Sequence, residues 1–125
     1  MSDVQTQAQQ RLALQFAING VAAVVDGATV YTSAYPTQPA VPLAYDTWPV
    51  WLATRPTAMC VDETDWQVLL ALPGPDPQTW AAVGDQMVEA LADVLAKYDL
   101  TRVEPVQILL AEGQSMPGLA YTLTI

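Results

Sequence analysis

The sequence predicts an α+β fold: a small mixed or antiparallel sheet with an N-terminal helix and a long second helix packed on it. Three observations carry that reading. Residues 65–73 alternate clearly, with Trp66, Val68, Leu70 and Leu72 on one face and Gln67, Leu69 and Ala71 on the other, the period of a strand. Between Pro77 and Tyr98 the apolar residues Trp80, Val83, Met87, Leu91, Val94, Leu95 and Tyr98 recur at three and four, the period of a helix. Two further β-patterned stretches, Arg102 to Leu110 and Leu119 to Ile125, close the chain.

The N-terminal helix is expected from Ser2 and Gln5, which have capping-box spacing. Val4, Ala8, Leu12 and Phe16 follow at four-residue intervals and predict the face turned to the core, with Asn19-Gly20 as the stop. Val21 to Val25 fits either an extension of that helix or a short strand. Asp26-Gly27 marks a turn, and Ala28 to Ser33, with Thr29, Val30, Tyr31 and Thr32, reads as a strand.

Residues 34–57 differ in composition. Pro36, Pro39 and Pro42 lack the amide hydrogen and constrain the residue before them, which excludes a helix and leaves an extended path. Trp48 to Thr54 fits a strand with Pro49 near its start, as an edge strand tolerates. The expectation is a Pro- and aromatic-rich extended arm or hairpin projecting from a single domain that covers residues 1–125. Fully extended, those residues would reach at most about 80 Å.

After the arm, the strand of residues 65–73 ends in Pro73-Gly74-Pro75. Asp76 is placed to cap the second helix and Pro77 to occupy its first position, where a missing amide hydrogen is harmless. Burying Trp80, Met87, Leu91 and Leu95 would each contribute about 2 kcal/mol before entropy is counted. Pro105 interrupts the next strand, and the loop from Glu112 to Gly118 predicts an antiparallel hairpin with the last one.

Composition excludes several functions. With 125 residues the chain fits one domain, and 52% hydrophobic against 14% charged residues is the balance of a folded protein. Thirteen acidic residues face four basic ones, too few cations to neutralise many phosphates, so nucleic-acid binding is not expected. There is no histidine, and the single cysteine, Cys60, has no partner for an internal disulfide, which suits a reducing compartment. The first ten residues are polar and acidic, unlike a secretory signal, and no apolar run approaches the length of a membrane span. A chain made in the cytoplasm and free of membranes is the expectation.

No enzyme chemistry is expected, and no catalytic residue, cofactor or metal is assigned. Asp62, Glu63 and Asp65 lack histidine companions and calcium-loop spacing, so a solvated turn accounts for them. Cys60 has no histidine to activate it, and Ser115 lacks the second glycine of a nucleophile elbow.

Several of these features together resemble a known family. A strand bearing Trp66, Val68 and Leu72-Pro73 is followed by a long amphipathic helix, then Arg102-Val103-Glu104-Pro105, Pro117 and a terminal Tyr121-Thr122-Leu123-Thr124. That succession resembles the tail terminator, or tail completion, proteins of long-tailed, siphovirus-type actinobacterial phages.

The resemblance implies helices packed on a sheet and assembly as a homo-hexameric ring that caps the tail tube, ends its polymerisation and forms the tail-side surface for head joining. The implied partners are other copies of the chain, the tail tube protein and the head-tail connector or stopper protein, with DNA passing through the lumen without specific binding. The implied location is the tail-neck junction of the virion. Within the arm, Tyr35, Trp48, Trp51 and Arg55 are the candidate contact residues, because aromatics and Arg dominate interface hot spots as they do cores.

The acidic excess suits solubility. It also suits a lumen lined by Asp62, Glu63 and Asp65 or by Asp85, Glu89 and Asp93, which would repel DNA. A head-tail stopper or adaptor is the neighbouring reading. An acidic inhibitor that imitates DNA is the alternative of a different class, disfavoured because the carboxylates are scattered among apolar stretches.

Overall fold

A computed structural model describes residues 6–25, 27–56, 62–72 and 77–125. In chain order the elements are α1 (Gln7–Ile18), β1 (Ala22–Val25), β2 (Ala28–Tyr31), β3 (Ser33–Ala34), β4 (Asp46–Pro56), β5 (Asp62–Ala71), α2 (Pro77–Leu95), β6 (Asp99–Leu109), a 3-10 turn (Ala111–Gly113) and β7 (Ser115–Thr124). The fold is α+β. Five strands form the main sheet in the order β3-β4-β5-β7-β6, and β1 and β2 form a separate hairpin.

All pairings of the main sheet are antiparallel except the two-residue parallel bridge that sets Ser33 beside Asp46 and Ala34 beside Thr47. The register places Trp66 opposite both Trp51 and Leu123, and Val68 opposite both Pro49 and Tyr121. β6 and β7 form the expected antiparallel hairpin, although the strands begin at Asp99 and Ser115 and the connection shrinks to the 3-10 turn. Extra residues in β4, between Trp51 and Ala53, and in β6, between Leu100 and Arg102, shift the register locally as β-bulges do.

The main core lies on one face of the sheet. Trp66, Val68 and Leu70 from β5 and Leu119, Tyr121 and Leu123 from β7 meet Leu14 and Ile18 of α1, Met87, Leu91 and Leu95 of α2, and Ala23 and Val25 of β1. The alternation read in the sequence is therefore the alternation of burial from Asp65 to Leu70, while Ala71 is buried on the opposite face. The opposite face carries a smaller cluster of Trp48, Ala71 and Ile108, with Val50, Leu69, Val106 and Met116 packed against it.

Helix α1 corrects two expectations. Its cap is Thr6: the Thr6 side chain accepts the Gln9 amide, and the Gln9 side chain accepts the Thr6 amide, a complete capping box four residues later than Ser2. Ser2, Val4 and Gln5 lie outside the described residues. The face turned to the core is Gln10, Leu14 and Ile18, whereas Leu12 is 54% and Phe16 75% exposed. Both rows have four-residue spacing, and only the sheet beneath decides between them. The buried row includes Gln10 because the Trp66 indole nitrogen donates to Gln10 Oε1 at 2.9 Å, giving the amide a partner inside the core.

Residues 21–25, open between helix and strand in sequence, join the strand side. The Thr32 hydroxyl donates to the Ile18 carbonyl at 2.5 Å and accepts the Val21 amide at 2.9 Å. That side chain satisfies two backbone groups freed where α1 ends, and Gly20 at φ 69° turns the chain away. Asp26, Cys60, Pro73-Gly74-Pro75 and Asp76, which were given turns, a thiol and a cap, lie outside the described residues. So do the side chains of Asp62, Trp80, Val83 and Asp85. The second helix begins at Pro77 as expected but ends at Leu95, with Tyr98 in the turn that follows.

The stretch 34–57, expected as one projecting arm, divides in two. Residues 46–56 are the long strand β4 inside the main sheet. Residues 35–45 are irregular and tied back to the body: the Pro36 carbonyl accepts from Arg11 at 2.8 Å, and the Gln38 amide group donates to the Leu109 carbonyl at 2.8 Å. Asp46 closes this segment by accepting the Leu43 amide on its carboxylate, and Tyr45, at φ 67°, makes the left-handed step into β4.

Pro49 fits because Arg11 reaches its carbonyl at 3.4 Å, away from β5. Amide and carbonyl of one residue in an antiparallel strand point to the same side, so the missing amide hydrogen also faces away from the ladder.

Candidate functional site

The structure brings three of the singled-out residues together. Arg55 in β4 lies opposite Glu63 in β5, and Asp65 follows one step along the same face. The Arg55 guanidinium bonds Glu63 at 3.0 Å and also pairs with Asp65, whose other oxygen accepts the Thr124 hydroxyl at 2.8 Å. The hydrogen bond that Arg55 donates to Asp65 is the main cause of a pKa for Arg55 above its ordinary value, followed by the charge of Asp65 and the contacts to Glu63. One cation thus faces two carboxylates, while Thr54 and Thr64, whose hydroxyls are 3.3 Å apart, lie on the other face of the same strand pair.

Glu89 and Asp93 sit elsewhere. They are one helical turn apart on the exposed side of α2 and, with Val24 and Thr29 of the β1–β2 hairpin, line a groove of 320 Å³. Strand alternation puts Glu63 and Asp65 on the face of β5 opposite Trp66, away from the helices, whereas Glu89 and Asp93 lie on the helical side. The two sets of acids therefore do not share a surface. Among the described residues no group of three or more His, Cys, Asp or Glu is placed to hold a metal ion, and no helix is long and apolar enough to cross a membrane.

The aromatic candidates separate as well. Trp51 is 42% exposed, with its indole nitrogen donating to the Thr54 hydroxyl at 3.0 Å, and Tyr35 is exposed beside β4, its amide bonded to the Thr47 carbonyl. Trp48 is fully buried in the second cluster, so it is a packing residue and not a surface one. Its indole nitrogen is buried without a hydrogen-bond partner among the described residues. Trp48 and Trp51 border a 300 Å³ groove that Gln7, Arg11, Thr37 and Gln38 complete. Arg11 is the charged group of that groove, its guanidinium 5.2 Å from the centre of the Trp66 ring.

Leu12 and Phe16 form an apolar ridge that the sequence assigned to the core. Together with Gln15, Asn19 and Ala34 they edge a 160 Å³ hollow. The one signal for this ridge in the sequence was the competing row Gln10, Leu14 and Ile18, displaced by two residues around the same helix. The chain matches no family model, and no curated protein or solved structure matches it.

Proposed function

We propose that this chain is a structural virion protein that caps a phage tail tube as a hexameric ring, ends tail polymerisation and offers the tail-side surface to which the head joins. The succession of motifs around Trp66, Arg102-Val103-Glu104-Pro105 and Tyr121-Thr122-Leu123-Thr124 suggests the family. The observation that carries the reading is the distribution of exposed apolar side chains. Leu12 and Phe16 on α1, and Trp51 and Leu52 on β4, stay in solvent on a small domain whose core is otherwise closed by Trp66, Leu14, Leu91 and Tyr121. Apolar groups left in solvent on both a helix and a strand suit a subunit that touches protein neighbours.

In this reading the ring contacts draw on Tyr35, Trp51 and Arg55 and on the Leu12 and Phe16 ridge, while Trp48 supports β4 from within. The lumen acids belong to one surface only, either Glu63 and Asp65 or Glu89 and Asp93 of α2. Arg55 partly neutralises Glu63 and Asp65, which favours the α2 set as the one that keeps DNA from sticking. The chain acts on no substrate and needs no cofactor.

Electron microscopy of tails assembled without this chain tests the reading. Overlong, uncapped tubes are the expected result. Tails of normal length that fail to join heads would instead assign the chain to the head-tail stopper, and normal tails on normal particles would remove it from the neck altogether.

A further inference from the structure

β6 is one of the two longest strands of the main sheet and forms its outer edge, with β7 on one side and no strand on the other among the described residues. The direction of its free backbone groups follows from three observations. Leu110, extended at φ −111°, donates its amide to the Gln114 carbonyl across the hairpin, so even-numbered residues address β7. The Leu109 carbonyl is taken by the Gln38 side chain and not by β7. Pro105, which has no amide hydrogen, is an odd-numbered position as well. Val103, Pro105 and Gln107 therefore turn their backbone groups outward, with Gln38 closing the row at Leu109.

The side chains along this edge are self-complementary. Arg102 and Glu104 share one face of β6 with their charged groups 3.8 Å apart; Arg102 is exposed and Glu104 half-exposed. Val103, between them, is 38% exposed on the other face. If a second β6 runs antiparallel alongside with Val103 opposite Val103, Arg102 of each copy stands opposite Glu104 of the other. Those two positions are non-hydrogen-bonded pairs, in which Cα atoms approach to roughly 4.5 Å and side chains are closest. Moving the centre to Pro105 would remove both central amide donors and set Arg102 opposite Ile108; moving it to Gln107 would set Glu104 opposite Leu110.

We propose that β6 is a homotypic docking edge: two copies of this chain pair antiparallel through β6, centred on Val103, and join their main sheets across a twofold axis. The occupant is a second copy because the charge pattern of the edge is complementary to itself under that symmetry. The contact is separate from the ring reading, since a twofold edge joins copies in pairs whether or not they also form rings.

Analytical ultracentrifugation of the full chain over a wide concentration range tests it, with R102E, E104R, the double variant R102E/E104R, and V103P. The wild type is expected to form dimers that weaken as salt is raised. Either single charge reversal turns two attractive pairs into two repulsive ones and should weaken association by about tenfold or more, and the double reversal should restore it. V103P removes an amide that β7 does not use, so it should abolish dimers while leaving thermal unfolding of the monomer close to wild type. A wild type that stays monomeric throughout, dimers indifferent to all four variants, or a double variant no better than the singles would overturn the proposal. Should V103P fail to fold, the charge exchange alone decides.

Discussion

Trp66 and Gln10 are joined by a 2.9 Å hydrogen bond from the indole nitrogen to the amide oxygen, inside the main core and 56 positions apart in sequence. This bond fixes how α1 rotates on the sheet. It sets Gln10, and with it Leu14 and Ile18, over β5, and it turns Leu12 and Phe16 to solvent. Replacing Gln10 by Leu keeps the volume and leaves the indole N–H buried without a partner, which costs about 1–3 kcal/mol. Urea unfolding followed by Trp fluorescence should show that loss with an unchanged slope. A variant as stable as wild type would mean that the bond does not hold the helix.

Gly118 has no room for a side chain. A Cβ there would meet Ile108 Cγ1 and the Leu70 carbonyl oxygen, both at 2.9 Å, closer than side chains tolerate. Gly118→Ala should therefore destabilise the protein by about 1–3 kcal/mol through overpacking. Pairing it with Ile108→Ala should recover less than the whole, because the Leu70 contact is backbone and cannot move aside. Thermal unfolding of the three variants against wild type measures both effects.

These two sites show where the sequence was readable. The strand of residues 65–73 and the helix from Pro77 could be read from period alone, since Trp66, Val68 and Leu70, and Met87, Leu91 and Leu95, each have one apolar face to bury. The face of α1 was not readable, because Leu12 and Phe16 repeat at the same interval as Leu14 and Ile18 and the tie-breaking partner, Trp66, is distant in the chain. In residues 34–57 the prolines excluded helix correctly. They carried no information on the long-range bonds, Arg11 to Pro36 and Gln38 to Leu109, that hold residues 36 and 38 to the body. The charge cluster of Arg55, Glu63 and Asp65 was equally hidden, since its members meet only through the β4–β5 register.

Tyr121 gives the fold an alkaline limit. Burial raises its phenol pKa well above the ordinary value of 10.0, and its hydroxyl donates to the Val88 carbonyl at 3.3 Å. The folded state thus holds its proton where the unfolded chain releases it. The associated stability is complete below pH 10 and falls as pH rises above it, by up to about 1.4 kcal/mol per pH unit. Denaturant unfolding at a series of pH values from 8 to 11.5 should show the decline. Tyr121→Phe has no proton to lose and should flatten that component of the slope; an undiminished slope would assign it to other groups.

The rotation of α1 also yields a contrast between neighbouring residues. Leu14 is fully buried beside Ile18, so Leu14→Ala should cost about 2–5 kcal/mol by deleting core contacts and leaving a cavity. Phe16 is two residues further on and 75% exposed, so Phe16→Ser should change stability by no more than about 0.5 kcal/mol. Calorimetry on the two variants separates the faces directly. A large loss at Phe16 with little at Leu14 would place the core on the row of Ala8, Leu12 and Phe16 instead. With stability unaffected, Phe16→Ser also becomes a clean probe of assembly, and loss of ring formation or of tail capping in that variant would trace the defect to the exposed ridge and not to the fold.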